Sequence, residues 1–310
     1  MKIVFFGSPS SALPSLKKIL ESGHQVELII TQPDKPSGRG KKPTPCPVKK
    51  FALERNIPSY EPEKIRKDLL AYEKIKEINP DLIVVVAYGQ IIPASIIYLP
   101  KFRSINAHFS LLPKYRGASP VQWAILKGEK KTGVTIFELN EKMDEGDILT
   151  QEEVDILPRE KAFELESRLA QIGAELLLKT ISQIDKIKLL RQDHSQATYA
   201  PKLNKEDGRI DWTKDAFFID RQVRAFTRWP SAFTFFKEKR IKIHEGKKVD
   251  RKSDIFSPGK ILAIKKEGIE VCCGEGSIYL VESLQPENKN EMNAYAFSIG
   301  ARLNTGDLFS

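Results

Sequence analysis

One run constrains the fold more than any other: Asp81-Leu82-Ile83-Val84-Val85-Val86-Ala87. Apolar, β-branched residues follow one another without alternation, as expected for a central parallel strand buried on both faces. Parallel strands need long crossovers, and the neighbouring sequence supplies them. Lys2 to Phe6 reads as a strand ending at Gly7. A helix from about Ser11 to Ser22 sets Leu13, Leu16, Ile19 and Leu20 at helical spacing and stops at Gly23. Val26 to Thr31 reads as the next strand, Phe102 to Phe109 as another, Val121 to Lys127 as a helix and Gly133 to Leu139 as a strand. Ala162 to Ile184 reads as one long amphipathic helix. The order implies an α/β fold, an open, doubly wound and mostly parallel sheet. Its first turn has Gly7 alone and lacks Gly-x-Gly-x-x-Gly, so no dinucleotide site is expected.

The periodicity weakens from Ile184 to Asp207. Beyond it come a helix, Ala216 to Phe226, and five short strands: Ala232 to Phe236, Arg240 to Glu245, Lys260 to Ile264, Ile269 to Cys272 and Ser277 to Leu284. Short strands separated by Gly turns suggest a small barrel. The expected division is residues 1–190, a linker over 191–207, and a second domain over 208–310. A chain of 310 residues suffices for two cores.

Hydrophobic residues make up 41% and charged residues 29%, ordinary for a soluble globular protein. The formal net charge of +9 is compatible with a polyanionic partner without requiring one. Cys46, Cys272 and Cys273 fit neither zinc spacing nor a disulfide framework, so a reducing cytoplasm is the simplest setting. The opening apolar run is too short for a signal peptide, and no run approaches a membrane span.

Chemistry concentrates in Ser104-Ile105-Asn106-Ala107-His108 and the turn that follows, built on Pro113 and Gly117. Period-2 alternation sets Asn106 and His108 on one face of a strand. An amide beside an imidazole at a strand end suits an oxyanion donor with a proton handler. As an isolated pair, they would more often be partners in an ordinary buried hydrogen bond.

The surrounding residues change that balance. Asn106-x-His108 followed by Ser110-Leu111-Leu112-Pro113-x-x-Arg116-Gly117 resembles the signature of the folate-dependent formyltransferases. Gly133-Val134-Thr135-Ile136 and Met143-Asp144-x-Gly146-Asp147-Ile148-Leu149 are similar to that family's second motif. Thr31 to Lys42, Val84-Val85-x-Ala87-Tyr88-Gly89, Tyr199-Ala200-x-Lys202-Leu203, Ile210-Asp211-Trp212, Arg224-Ala225-Phe226 and Trp229-Pro230 extend the likeness toward members that formylate methionyl-tRNA. The opening turn departs from the pattern, with Ser8-Pro9-Ser10 where the family has Thr, an acid and an aromatic.

The resemblance implies a Rossmann-like formyltransferase domain followed by an OB-like, tRNA-binding β-barrel. It implies formyl transfer from N10-formyltetrahydrofolate to the α-amino group of methionine on charged initiator tRNA. Asn106, His108 and Asp144 are the implied catalytic residues, with Asp144 either set against His108 or holding a relay water. Ser110, Leu111, Leu112 and Pro113 are the implied folate-contacting turn, and Tyr88 and Gly89 a further wall. No metal is expected, nor a membrane; a cytoplasmic monomer is.

The segment from Lys35 to Lys50 holds six basic residues, among them Lys35, Arg39, Lys41 and Lys42, and no acid. Its prolines and glycines argue against regular helix. It is expected to be poorly ordered until it grips the acceptor end of tRNA, with Arg39 able both to stack and to pair with phosphate. Arg221, Arg224 and Arg228 recur at near-helical spacing as a second basic stripe. Two rivals remain: a formyltransferase acting on a small amine such as a sugar nucleotide, and a nonenzymatic tRNA-binding protein.

Overall fold

The computed structural model describes residues 1–37, 42–254 and 256–310. Arg39 and Lys41 lie outside the described residues, as does the side chain of Lys42. The chain forms two compact units. The first comprises Met1–Pro120, Lys131–Asp155 and Glu166–Pro201; the second comprises Val121–Lys130, Ile156–Leu165 and Lys202–Ser310.

In chain order the elements begin with β1 (Lys2–Gly7), α1 (Leu13–Glu21), β2 (Gln25–Ile30), β3 (Lys35–Ser37) and β4 (Lys42–Thr44). There follow α2 (Pro47–Glu54), β5 (Ser59–Tyr60), α3 (Leu69–Ile78), β6 (Leu82–Val86), α4 (Ala94–Ile97) and β7 (Arg103–His108). Next come α5 (Pro120–Lys127), β8 (Lys131–Glu138), β9 (Ile148–Asp155) and α6 (Ala162–Ile181).

The main sheet runs β5-β2-β1-β6-β7-β8-β9. Its first five strands pair in parallel, whereas β8 runs antiparallel to both β7 and β9. The mostly parallel, doubly wound expectation therefore holds. All five residues of β6 are buried, which explains its unbroken apolar sequence. Val4, Phe6, Ile83 and Val85 share a core with Ala71 and Ile75 of α3. Ile3, Phe5, Leu82 and Val84, of the opposite parity, are equally buried, so both faces are covered. The chain leaves β1 toward β2 and returns on its other side as β6, which puts the topological switch point between β1 and β6. Gly7 pairs with Val86, and Val85 with Asn106, so the ends of β1, β6 and β7 lie side by side.

One expectation about the basic segment needs correction, that it forms no regular helix. Lys35–Ser37 and Lys42–Thr44 form an antiparallel hairpin. The segment also turns helical at Pro47, despite its proline content. Proline is tolerated in the first helical turn, where its missing N–H would have no partner. Cys46 caps that helix, its Sγ accepting from Lys49 N at 3.5 Å.

The second unit contains α7 (Ala216–Ala225), β10 (Ala232–Phe236), β11 (Lys239–Val249), β12 (Ile261–Lys265), β13 (Gly268–Cys272), β14 (Ile278–Pro286), β15 (Met292–Asn293) and α8 (Ala294–Ala301). The five expected strands are all present, within an antiparallel sheet ordered β10-β11-β14-β13-β12. Residues 307–310 close it. Ile261 N donates to Asp307 O at 2.8 Å and Phe309 N to Gly259 O at 2.9 Å, along the β12 edge. Phe235 and Ser310 exchange two backbone bonds, of 2.8 and 3.0 Å, along the β10 edge. The closed interior packs Trp212, Val223, Ile241, Val271, Phe297 and Phe309. Among the described residues, no helix is long and apolar enough to cross a membrane.

Candidate active site

Strand β7 carries Asn106 and His108 toward the carboxyl edge of the sheet. Val85 on one side and Phe137 on the other pin Asn106 in register, and Thr135 pins His108. The Asn106 side chain is half-buried and, among the described residues, its amide makes no hydrogen bond. The His108 ring is buried against the edge of Phe137, with centroids 6.4 Å apart. Its Nε2 lies 2.9 Å from the Tyr115 carbonyl. A carbonyl oxygen can only accept, so Nε2 holds the proton. The neutral ring then presents its lone pair at Nδ1. Nδ1 faces Asp144 Oδ2 across 3.8 Å, and the two side chains are 8% and 13% exposed. A proton arriving at Nδ1 would find a carboxylate close by, in a site that screens charge poorly.

The Asp144 carboxylate is itself held. Gly117 N donates to its Oδ2 at 2.8 Å. Asp144 adopts φ 55°, in the left-handed region that Asp enters more readily than most residues. At Gly146 a Cβ would collide with the Glu138 carbonyl, so the turn needs glycine there.

The turn after β7 is built from within. Ser110 Oγ donates to Lys114 O at 2.6 Å, and Thr135 Oγ1 donates to Ser110 O at 2.7 Å. Leu112 N donates to Thr135 Oγ1 at 3.1 Å, and Gln151 Nε2 to Leu112 O at 2.8 Å. The side chains of Ser110 and Leu112 therefore face inward, while Leu111 and Pro113 are half-buried. Tyr88 is likewise interior, its ring edge-on to Phe6 at 5.1 Å, and burial pushes its phenol up. Gly89, at φ 77°, is exposed.

Sequence reasoning gave no role to three residues. Gln32 ties the strand ends together: its Nε2 donates to Tyr88 O at 2.7 Å and its backbone N to Ser8 Oγ at 2.9 Å. Arg116, only 1% exposed, meets Glu145 at 3.3 Å and Gln192 Oε1 at 2.7 Å. Gln192 lies in the stretch expected to be a polar linker. That stretch instead runs along the site loop, with Arg116 N donating to Thr198 O at 2.9 Å and Ala200 N to Arg116 O at 2.7 Å.

The basic groups are less free than the sequence suggests. Burial pulls Lys49 down, but the Asp34 and Glu61 carboxylates at 2.8 and 2.5 Å outweigh it and leave the ammonium raised. Lys35 Nζ donates to Gln32 Oε1 at 2.8 Å. Arg221 donates to Leu126 O at 3.1 Å, and Arg224 to Asp220 at 2.9 Å and Glu160 O at 3.1 Å. Arg228 follows the end of α7, exposed and 5.2 Å from the Phe163 ring centroid. The expected arginine stripe thus commits Arg221 and Arg224 to internal partners.

An amide that makes no hydrogen bond among the described residues, beside a histidine–carboxylate pair at the carboxyl end of a parallel strand, is equipment suited to acyl transfer. Residues 1–181 match the family described as Formyl transferase, and residues 202–302 match the family described as Formyl transferase, C-terminal domain. The chain belongs to the formyl transferase family. It is 43% identical over 310 residues to the methionyl-tRNA formyltransferase of Alkaliphilus oremlandii, covering 99% of each chain. Two solved structures share the fold. One is an N-formyltransferase from Helicobacter canadensis, described in complex with folinic acid and dTDP-3-aminofucose (TM-score 0.67, 22% identity, 92% of this chain and 99% of that one). The other is the methionyl-tRNA formyltransferase from Clostridium thermocellum (TM-score 0.57, 22% identity, 79% of this chain and 92% of that one).

Proposed function

We propose that this enzyme transfers the formyl group of N10-formyltetrahydrofolate to the α-amino group of methionine carried by initiator tRNA. The observation that carries this reading is the full-length likeness to the Alkaliphilus oremlandii enzyme, 43% identical over 99% of both chains. The attacking amine must be neutral. As its nitrogen bonds to the formyl carbon, the carbonyl oxygen takes up negative charge, and the Asn106 amide, which has no competing partner among the described residues, donates to it. His108 takes the amine proton at Nδ1, the ring nitrogen left open by Tyr115, and Asp144 steadies the resulting imidazolium. Breaking the bond from the formyl carbon to N10 completes the transfer, and His108 passes that proton on to N10. The exposed backbone at Gly89 and the half-buried Leu111 and Pro113 are the groups that would meet the folate.

Residues 1–190, with the stretch from Gln192 to Ala200 that follows them, carry this chemistry, and residues 208–310 help to hold the tRNA. Lys35, Arg39, Lys41 and Lys42 grip its acceptor end. The test is a transfer assay with N10-formyltetrahydrofolate and, in parallel, charged initiator tRNA and a 3-amino sugar nucleotide. Formylmethionyl-tRNA is the expected product. Transfer to the sugar amine with none to methionyl-tRNA would overturn the proposal.

A further inference from the structure

We propose that Gln192 is a positioning residue for the transfer reaction, its carboxamide setting the turn that holds Asp144 against His108. The inference rests on the reading of Asp144 given above.

Gln192 is 3% exposed, so it has no access to substrate. Both ends of its amide are used. Oε1 accepts from Arg116 Nη2 at 2.7 Å and Nε at 3.2 Å. Nε2 donates to the carbonyls of Asp144 at 2.9 Å and Gly146 at 2.7 Å. One planar group thus joins the loop after β7 to the turn before β9, and it does so at the residue held at φ 55°. Arg116 reaches the same turn through Glu145 at 3.3 Å, and Gly117 N reaches the Asp144 carboxylate at 2.8 Å. With Gln192 fixing its backbone carbonyl and Gly117 its side chain, Asp144 is located at both ends.

The chemistry of these bonds explains the residue type. An amide carries a donor and an acceptor on one rigid end. Glutamate would keep the bond to Arg116 but turn lone pairs toward two carbonyl oxygens. Methionine would fill the space and leave Arg116 and both carbonyls short of partners, which is costly in a buried site.

The full-length protein is the material for the test, with Gln192→Glu, Gln192→Met, Asp144→Asn and the corresponding double variants. Thermal midpoint and far-UV circular dichroism report the fold. Steady-state kinetics with both substrates reports kcat and each KM. A shift of about 1 Å at a catalytic group can cost roughly 100-fold in rate, so each Gln192 variant should lower kcat by ~10- to 100-fold. Each KM should stay near its wild-type value, the signature of an interaction removed from the transition state rather than from binding. In the Asp144→Asn background the Gln192 substitutions should lower kcat no further.

An unchanged kcat in folded Gln192→Glu would overturn the proposal. So would an equal further loss in the Asp144→Asn background, which would leave the role of Asp144 standing. A wild-type kcat in Asp144→Asn alone would remove Asp144 from the chemistry, and this inference with it. Should Gln192→Met fail to fold, Gln192→Glu, of the same shape and still bonded to Arg116, carries the test. Loss of the fold in both would make Gln192 a purely structural residue and overturn the proposal.

Discussion

The two large β-sheets of this protein end in opposite ways. The parallel sheet is open, and the carboxyl ends of β1, β6 and β7 finish side by side, with Asn106 and His108 at the last of them. The antiparallel sheet is closed, because residues 307–310 bond to β12 on one edge and β10 on the other. An open parallel sheet offers a row of strand ends where loops can gather polar groups. A closed barrel uses its backbone bonds on itself and fills its interior with apolar side chains. The difference teaches that reactivity and stability should respond to different substitutions in the two units.

The sharpest way to break that division is at the open sheet. Asn106→Ala, His108→Ala and Asp144→Ala should each lower kcat by roughly 10²- to 10⁴-fold while the thermal midpoint stays near wild type. Near-normal turnover in any folded variant would strike that residue from the site. At the closed sheet the expectation reverses. Phe309 is 2% exposed, beside Trp212 and Phe236 at ring-centroid distances of 6.1 Å each. Phe309→Ala should cost about 3 kcal/mol by urea denaturation of the full-length protein, with kcat of the folded fraction retained. A collapse of kcat at unchanged stability would mean that the barrel takes part in the chemistry.

Smaller effects belong to the surface. Arg39→Ala should raise KM for methionyl-tRNA and leave the affinity for the formyl donor alone. Neutralising a loop cation that pairs with a phosphate should flatten the slope of log affinity against log salt by about 0.7 to 0.9. Equal slopes for wild type and variants would show that the loop is solvated rather than gripping RNA. The smallest effect is expected at Glu245. Its hydrogen bond to Lys161, at 2.6 Å, holds its carboxyl below the ordinary range. A depressed carboxylate contributes stability above its unfolded pKa and loses it as pH falls through the folded value. Glu245 is 52% exposed, so Glu245→Gln should cost less than about 1 kcal/mol at neutral pH, and the difference should vanish under acid. A gap that persists at low pH would assign the effect to packing instead.

Much of the fold was readable because each element's pattern matched its surroundings. The apolar run of β6 reflects burial on both faces, and the barrel strands lie within a few residues of their expected limits. Two of the unread elements lie where the environment breaks the pattern. β9 ends the sheet, and most of its residues are half-buried or exposed, so Ile148–Asp155 looks polar. α2 hides behind a proline that only its first turn tolerates. In the site, strand parity sets Asn106 and His108 on one face, but only the motif around them distinguished the pair from an ordinary buried hydrogen bond, and Asp144 needed the second motif. Gln192 was illegible because the charge it serves, on Arg116, lies 76 positions earlier, and no local periodicity reflects a bond made at such a distance.

The closure of the barrel also sets an order of events on the ribosome. Thr234 and its partner Ser310, whose carbonyl accepts from the Thr234 hydroxyl at 3.1 Å, are separated by 76 positions. Translation at ~5–20 residues per second takes about 4 to 15 s to cover that interval of 76 residues. Throughout it, the nascent β10 has an outer edge that its eventual neighbour has not yet been made to cover. A bare strand edge invites pairing with other chains. The interval between the emergence of Phe236 and that of Ser310 is therefore one in which this polypeptide carries a strand edge open to association with its own copies.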